Sequence, residues 1–131
     1  MIIDTSAVVA ILKDEAERPQ FNMAIENADS CLISVATFVE ASLVIEVRWG
    51  YDGLRDFDLF ITRAAIELLP LDVQQAHAAR HAFHKYGRGR HAANLNFGDC
   101  FSYALAKTLG LPLLFKGNDF SQTDITPAVT I

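Results

Sequence analysis

The chain has 131 residues, 51% of them hydrophobic and 21% charged, which fits one domain with a sizeable core and excludes a disordered chain. Its formal net charge of −5 argues against a protein that coats nucleic acid non-specifically. Glu46 and Arg48 interrupt the longest apolar stretch, so no bilayer span is predicted. The N-terminus carries no basic leader, so we expect a cytoplasmic protein whose cysteines, Cys31 and Cys100, are reduced core thiols.

The first half of the chain alternates predicted strands and helices. In order, we predict a buried strand over 1–4, short helices over 7–13 and 18–27, and a second strand over 31–34. Ser34 is expected to cap a third helix, apolar nearly all round, that runs to Arg48 or Trp49. Gly50 is expected to stop this helix, because glycine commonly ends helices.

The second half continues the alternation. We predict a helix over 52–65, a third short strand within 66–71, and a long helix that opens at the capping pair Asp72 and Gln75 and ends before Gly87. A loop over 87–96 leads to a helix that contains Asp99 and is closed by Gly110. A fourth strand is predicted over 112–115 and an edge strand over 128–131.

Strands separated by helices predict an α/β fold, with a mostly parallel sheet of four or five strands and helices on both faces. In such sheets, ligands bind beyond the carboxyl ends of the strands. Four acids are predicted to reach this edge. Asp4 ends the first strand, Glu40 lies about two turns into the helix after the second, Asp99 opens the helix before the fourth, and Asp119 follows the fourth.

Each acid, taken singly, has an ordinary structural alternative. Asp4 is suited to cap a helix, Glu40 to form a buried ion pair, and Asp99 to favour the positive end of a helix dipole. Together, however, four neighbouring carboxylates repel one another. A hard divalent ion such as Mg²⁺ or Mn²⁺ resolves this repulsion, because it binds oxygen ligands. Ser6 is expected to support the site by hydrogen bonding to a carboxylate or to a water held by the metal.

A carboxylate-bound Mg²⁺ with open positions suits phosphate chemistry, since it binds a phosphate, activates water and neutralises the leaving oxygen. A basic segment provides a possible contact for such a substrate. No acidic residue lies between Asp72 and Asp99, where the cationic residues are Arg80, Lys85, Arg88 and Arg90. These residues are predicted to contact the phosphates of a polyanion such as RNA, the alternative being an ordinary surface loop.

The same segment holds all four histidines of the chain. Three of them, His77, His81 and His84, recur at i, i+4 and i+7, a spacing that raises the question of zinc. The metalloprotease glutamate is missing between them, and no third ligand is evident. A solvated helix face or contact with RNA phosphates is therefore the favoured interpretation.

Four segments resemble, in order and spacing, the PIN-domain ribonucleases, and most closely the VapC toxins of type II toxin–antitoxin systems. These segments are IDTSAVVAIL, VATFVEASLV around Glu40, NFGDCFSYALAK and LLFKGNDF, and the likeness covers essentially the whole chain. It implies a PIN domain over residues 1–131 and an Mg²⁺- or Mn²⁺-dependent endoribonuclease that inhibits translation and growth. By motif position, Asp4, Glu40 and Asp99 match the first three acids of the family, and Asp119 matches the fourth.

The resemblance also implies partners. VapC-like toxins are typically homodimers that a cognate VapB-like antitoxin silences, its tail occupying a groove near the acids. One departure concerns the fourth acid. The family commonly has Thr or Ser where this chain has Lys116, and Asp124 lies near enough in sequence to compete with Asp119.

Two other classes of function stay open from the residues. One is a regulatory protein that binds an antitoxin and has a degenerate acidic site. The other keeps the acids but acts on DNA or a phosphate monoester. The phosphatase form is disfavoured, because Thr5 and Ser6 follow Asp4 where aspartyl-phosphate enzymes carry a second aspartate.

Overall fold

The computed structural model describes residues 1–130, and its strands form one parallel sheet. The strands are β1 (Ile2–Ile3), β2 (Cys31–Ser34), β3 (Ile66–Leu69) and β4 (Leu113–Leu114). Their order across the sheet is β3–β2–β1–β4, and every neighbouring pair is parallel. The helices are α1 (Thr5–Leu12), α2 (Arg18–Asn27), α3 (Val35–Arg63), α4 (Val73–Tyr86) and α5 (Phe97–Leu109), and a 3₁₀ turn follows at Phe120–Gln122. The predicted α/β fold is therefore confirmed.

Two hydrophobic clusters cover the two faces of the sheet. Successive strand residues point to opposite faces, so Ile2 belongs to the cluster built with α4 and α5, whereas Ile3 belongs to the cluster built with α1, α2 and α3. Leu113 and Leu114 divide in the same way. The strands are buried on both sides, as a parallel sheet between helices requires.

Helix α3 covers two segments that were predicted as separate helices, one stopped by Gly50 and the next over 52–65. Its backbone leaves the helical region only at Gly50, with φ of 65° and ψ of −154°. Glycine adopts this conformation readily because it has no Cβ. The helix then resumes, so the two predicted helices form one kinked element without an intervening loop.

The predicted edge strand over 128–131 is wrong for the residues that the structure describes, and Ile131 lies outside them. A single bridge joins Pro127 to Leu113, with hydrogen bonds from the Leu113 N–H to the Thr126 carbonyl and from the Ala128 N–H to the Leu113 carbonyl. Pro127 has no N–H with which to extend a ladder.

The capping pair at the start of α4 is only half formed. Asp72 accepts a 2.8 Å hydrogen bond from the Gln75 N–H, but the Gln75 side chain donates to the Pro70 carbonyl and not back to Asp72. Both cysteines, Cys31 and Cys100, are free and buried. Across residues 1–130, no helix has both the length and the apolar character needed to cross a bilayer.

Candidate active site

Asp4 is held at the carboxyl end of β1 by hydroxyl groups from two helices. Its Oδ2 accepts hydrogen bonds from the Ser6 N–H at 3.0 Å and the Ser6 hydroxyl at 2.7 Å, which also makes Asp4 the N-cap of α1. Its Oδ1 accepts a 2.6 Å hydrogen bond from Ser102 of α5. Ser102 in turn lies 3.2 Å from the Thr37 hydroxyl of α3. Asp4 is only 3% exposed, so these contacts fix its orientation.

Ser6 also links Asp4 to the end of the fourth strand. The Ser6 hydroxyl accepts a 3.0 Å hydrogen bond from the Lys116 backbone N–H. The Lys116 side chain points elsewhere and pairs with Glu15 and Glu17 on the segment after α1. The position that departs from the family pattern therefore contributes its backbone to the site and its charge to a separate surface cluster.

Glu40 reaches the same region from the second turn of α3. Its Oε1 accepts a 2.6 Å hydrogen bond from the Thr5 hydroxyl, and its Oε2 lies against Gly98, where an added Cβ would be 1.5 Å away. Burial raises the pKa of Glu40, the Thr5 hydrogen bond lowers it, and the charge of Asp4 raises it, with a net increase. Glu40 therefore lies within electrostatic reach of Asp4.

Asp99 occupies the third position of α5 and forms a reciprocal capping box with Asn96. The Asp99 N–H donates to the Asn96 side chain at 2.9 Å, and the Asn96 N–H donates to Asp99 Oδ2 at 3.0 Å. Burial raises the pKa of Asp99 from 3.8 to about 7 against the Asn96 hydrogen bond, and charged neighbours add to the rise. Those neighbours are Asp4, Asp119 and Glu40, so Asp99 lies within electrostatic reach of all three predicted partners.

Asp119 and Asp124 have different surroundings. Asp119 is exposed and close enough to raise the pKa of Asp99. Asp124 accepts 2.7 Å hydrogen bonds from Tyr103 and Lys107 on α5. Partial burial raises the pKa of Asp124, but these two hydrogen bonds lower it below its ordinary value. Asp124 is thus compensated by the Lys107 cation.

The four acids lack cationic partners in the part of the chain that the structure describes. The ion pairs there involve other carboxylates, namely those of Asp14, Asp52, Asp124, Glu15 and Glu17. An oxygen-only donor set with uncompensated negative charge fits a hard divalent ion. The fit is one of donor chemistry and charge: among residues 1–130, no three acidic, histidine or cysteine side chains are grouped closely enough to form a finished metal site. The same finding gives no support to zinc at the α4 histidines.

The predicted RNA-contacting residues all lie at the surface around α4. Arg80 lines an apolar hollow of about 480 Å³ with Phe83, Phe97 and Phe101. Arg90 lies over the Phe83 ring at 5.2 Å. A second hollow of about 350 Å³ shares Phe97 and Phe101 and includes Glu40. Arg80 and Arg90 therefore border a continuous surface that leads to the acids.

Lys85 and Arg88 extend this basic surface at the carboxyl end of α4. Lys85 lies over the Tyr86 ring at 5.1 Å, and the Arg88 backbone N–H donates to the Leu95 carbonyl. Neither side chain lines the two hollows beside Glu40.

Four residues that sequence reasoning did not assign to the site contact its acids or the hydroxyls around them. They are Thr5, Thr37, Gly98 and Ser102. A signal existed for two of them, because Thr5 directly follows Asp4 and Gly98 directly precedes Asp99. Ser102 and Thr37 carried no such signal, since their partners are distant in sequence.

The chain is similar to known proteins over nearly its whole length. The PIN domain family model matches residues 1–125. The VapC ribonuclease Mb0640 of Mycobacterium bovis is 54% identical over 125 residues, covering 95% of each chain. Among solved structures, VapC20 of Mycobacterium tuberculosis, a toxin that cleaves the sarcin-ricin loop, has a TM-score of 0.77 at 13% identity, with 95% of each chain covered.

A toxin–antitoxin complex from Klebsiella pneumoniae has a TM-score of 0.69 at 16% identity, covering 99% of this chain and 98% of the other. At these low identities the solved structures show a shared fold. The family model and the curated relative cover nearly the whole chain at much higher similarity. The chain therefore belongs to the PIN-domain family and, within it, to the VapC ribonucleases.

Proposed function

We propose that this protein is the toxin of a type II toxin–antitoxin system, a metal-dependent endoribonuclease whose cleavage of RNA inhibits translation and growth. The observation that carries the proposal is that the charges of Asp4, Asp119 and Glu40 all raise the pKa of Asp99, while none of these four acids has a cationic partner in residues 1–130. PIN-domain ribonucleases generally depend on divalent metal ions, and relatives at 40–54% identity carry the name of VapC ribonuclease.

In this proposal the four acids hold Mg²⁺, for which Mn²⁺ substitutes. When bound, such an ion holds the scissile phosphate, lowers the pKa of the attacking water and neutralises the leaving oxygen. Ser6 and Ser102 keep both oxygens of Asp4 oriented, while Asn96 fixes Asp99 on the first turn of α5. Asp119 is favoured over Asp124 as the fourth acid, because Asp124 is engaged by Lys107 and Tyr103.

We infer that RNA approaches along the surface between α4 and Glu40. Arg80 and Arg90 would contact phosphates, which position a nucleic acid without reading its sequence. Phe97 is 79% exposed and lies between the basic residues and Glu40, where an unstacked base is able to pack on its ring. Lys85 and Arg88 would extend the phosphate contacts further from the acids.

We further infer a VapB-like antitoxin and a second copy of the chain as partners, and the cytoplasm, where RNA substrates occur, as the place of action. The Klebsiella pneumoniae neighbour is a toxin–antitoxin complex. Val39, Leu43 and Val47 are 53–88% exposed along one stripe of α3, and exposed apolar patches mark protein interaction sites. We propose that residues 1–131 act as one domain.

The test is RNA cleavage by the purified chain with Mg²⁺ or Mn²⁺ and with chelator. Asp4→Asn should lower the rate by at least about 100-fold, because even residues that only support metal ligands cost about 10–100-fold when replaced. Asp52→Asn is the matched control, since Asp52 is an exposed acid paired with Arg55. Undiminished cleavage by folded Asp4→Asn, or cleavage that persists without divalent ions, would refute the proposal.

Two measurements address the other functions. Digesting RNA and single-stranded DNA side by side under the same conditions separates a ribonuclease from a DNA nuclease. Expression in cells separates an enzyme from a regulatory protein with a degenerate site. The proposed toxin should arrest growth, and Asp99→Asn should relieve the arrest; unaffected growth with the intact chain would favour the regulatory protein.

A further inference from the structure

The two carboxylate oxygens of Glu40 contact different helices: Oε1 contacts α1, which follows Asp4, and Oε2 contacts α5, which carries Asp99. Thr5, the first residue of α1, donates to Oε1 at 2.6 Å. Gly98, in the first turn of α5, packs against the Glu40 carboxylate. An added Cβ there would be 1.5 Å from Oε2 and 2.3 Å from the carboxylate carbon.

The contact at Gly98 involves packing and not backbone strain. Gly98 has no positive φ and lies inside a regular helix, where alanine is ordinarily the better residue by about 0.5–1 kcal/mol. A residue with a Cβ would have to push the Glu40 carboxylate away, since heavy atoms do not approach within 1.5 Å without bonding. The absence of a side chain at position 98 is therefore what allows the carboxylate to remain against α5.

Both contacts lie next to other acids of the site in the chain. Thr5 follows Asp4, and Gly98 precedes Asp99. A glutamate has three rotatable side-chain torsions, and a half-exposed one ordinarily samples several rotamers. The Thr5 hydroxyl and the Gly98 backbone confine the Glu40 carboxylate to a place between α1 and α5, within electrostatic reach of Asp4.

We propose that Thr5 and Gly98 are positioning residues that hold the Glu40 carboxylate in the acidic cluster. The proposal deepens the proposed function and rests on it, because it takes Glu40 to be one of the metal-holding acids. Neither residue contacts substrate in this account. Their effect on the reaction passes entirely through Glu40, so it must vanish when Glu40 is removed.

A double-mutant cycle on the full chain tests the Gly98 contact, with Mn²⁺ affinity measured by electron paramagnetic resonance. Gly98→Ala should weaken Mn²⁺ binding about 10-fold or more, within the range found when ligand-supporting residues are replaced. In a Glu40→Ala background, the same substitution should change the affinity less than about 2-fold, because the group it displaces is gone.

Thermal unfolding without metal gives a second readout, in which the sign of the effect is diagnostic. Gly98→Ala should lower the midpoint in the otherwise native chain, where the Cβ collides with Glu40. In the Glu40→Ala background it should raise the midpoint, because alanine then improves helix α5 without a collision. A decrease of equal size in both backgrounds would mean that Gly98 serves general packing, and would overturn the proposal.

Thr5 supplies an independent test if Gly98→Ala fails to fold. Thr5→Val keeps the shape but removes the donor, and it should weaken Mn²⁺ binding and lower the cleavage rate. Thr5→Ser keeps the hydroxyl and should restore both. Equal behaviour of the Val and Ser variants would contradict a role for the hydrogen bond.

The outcomes also separate this inference from the proposed function. If Glu40→Ala weakens Mn²⁺ binding while Gly98→Ala and Thr5→Val do not, the positioning role is wrong and the acidic site stands. If Glu40→Ala has no effect but Asp4→Asn abolishes binding, Glu40 does not belong to the site, and the positioning role falls with it. If the native chain binds no Mn²⁺, the proposed function itself fails.

Discussion

Asp99 serves a helix and a cluster of acids with the same carboxylate. One of its oxygens accepts the Asn96 N–H and completes the capping box of α5, a structural role in addition to the helix-dipole role that its place in the first turn allows. The same group has its pKa raised to about 7, through burial and through the charges of Asp4, Asp119 and Glu40. A capping acid alone does not require three acidic neighbours, so the cap accounts for the position of Asp99 but not for its surroundings.

The raised pKa of Asp99 predicts how stability changes with pH in the metal-free protein. Between pH 3.8 and about 7, the folded state keeps a proton on Asp99 that the unfolded chain has released. The free energy of unfolding should therefore fall as pH rises through this window. Asp99→Asn should flatten this dependence. At pH 8, the metal-free variant should be more stable than the metal-free native chain.

Urea unfolding at intervals from pH 4 to pH 8, with chelator present, measures this effect. Asp52→Asn, an exposed acid away from the cluster, should keep the native slope. If Asp99→Asn and the native protein show the same slope, the close approach of the four acids is not supported. The pKa of Glu40 is also raised, so the free energy of unfolding of Asp99→Asn should still fall with pH, but less steeply than that of the native chain.

The four acids could be predicted from the sequence, but the groups that orient their carboxylates could not. The acids were recognisable because each belongs to a motif that follows a strand or opens a helix at the same edge of the sheet. Ser102 donates a hydrogen bond to Asp4, which lies 98 positions earlier in the sequence. Nothing in the sequence around Ser102 points to this partner. A distant hydroxyl contact leaves no periodic pattern, so only coordinates reveal it.

Helix α3 breaks where the sequence predicts, at Gly50, but it continues after the break because of core packing. Gly50 was expected to end a helix, and its backbone does leave the helical region there. The chain nevertheless resumes the helix at once, because Phe57 and Ile45, on opposite sides of the kink, pack into the same core cluster. Local sequence locates the break, whereas burial on both sides of it determines the direction of the chain afterwards.

Gly50→Ala tests the kink. The conformation at Gly50, with φ of 65° and ψ of −154°, is nearly restricted to glycine, and forcing another residue into it costs about 1–3 kcal/mol. Space is not limiting, since no heavy atom lies within 4 Å of an added Cβ. Urea unfolding should show the loss for Gly50→Ala but less than about 0.5 kcal/mol for Asp58→Ala, at an exposed position of the same helix. If Gly50→Ala were as stable as the native chain, the conformation at position 50 would not require glycine.

The parallel topology accounts for the gathering of acids that lie far apart in sequence. Parallel strands bring their carboxyl ends to one edge of the sheet, and β1 lies between β2 and β4. This order brings Asp4, the helix that carries Glu40 and the segment that carries Asp119 together. The parallel arrangement of the strands could be predicted from the alternation of strands and helices, whereas their order across the sheet was not predicted. The choice between Asp119 and Asp124 could not be predicted, because it depends on where Lys107 and Tyr103 point from α5.

The most direct measurement is a Mn²⁺ titration of the purified chain and its single variants, followed by electron paramagnetic resonance. Asp4→Asn, Glu40→Gln, Asp99→Asn and Asp119→Asn should each weaken binding by about 10-fold or more, whereas Asp124→Asn should bind as the native chain does. A native chain that binds no Mn²⁺, or a loss at Asp124→Asn as large as at the four acids, would contradict the account.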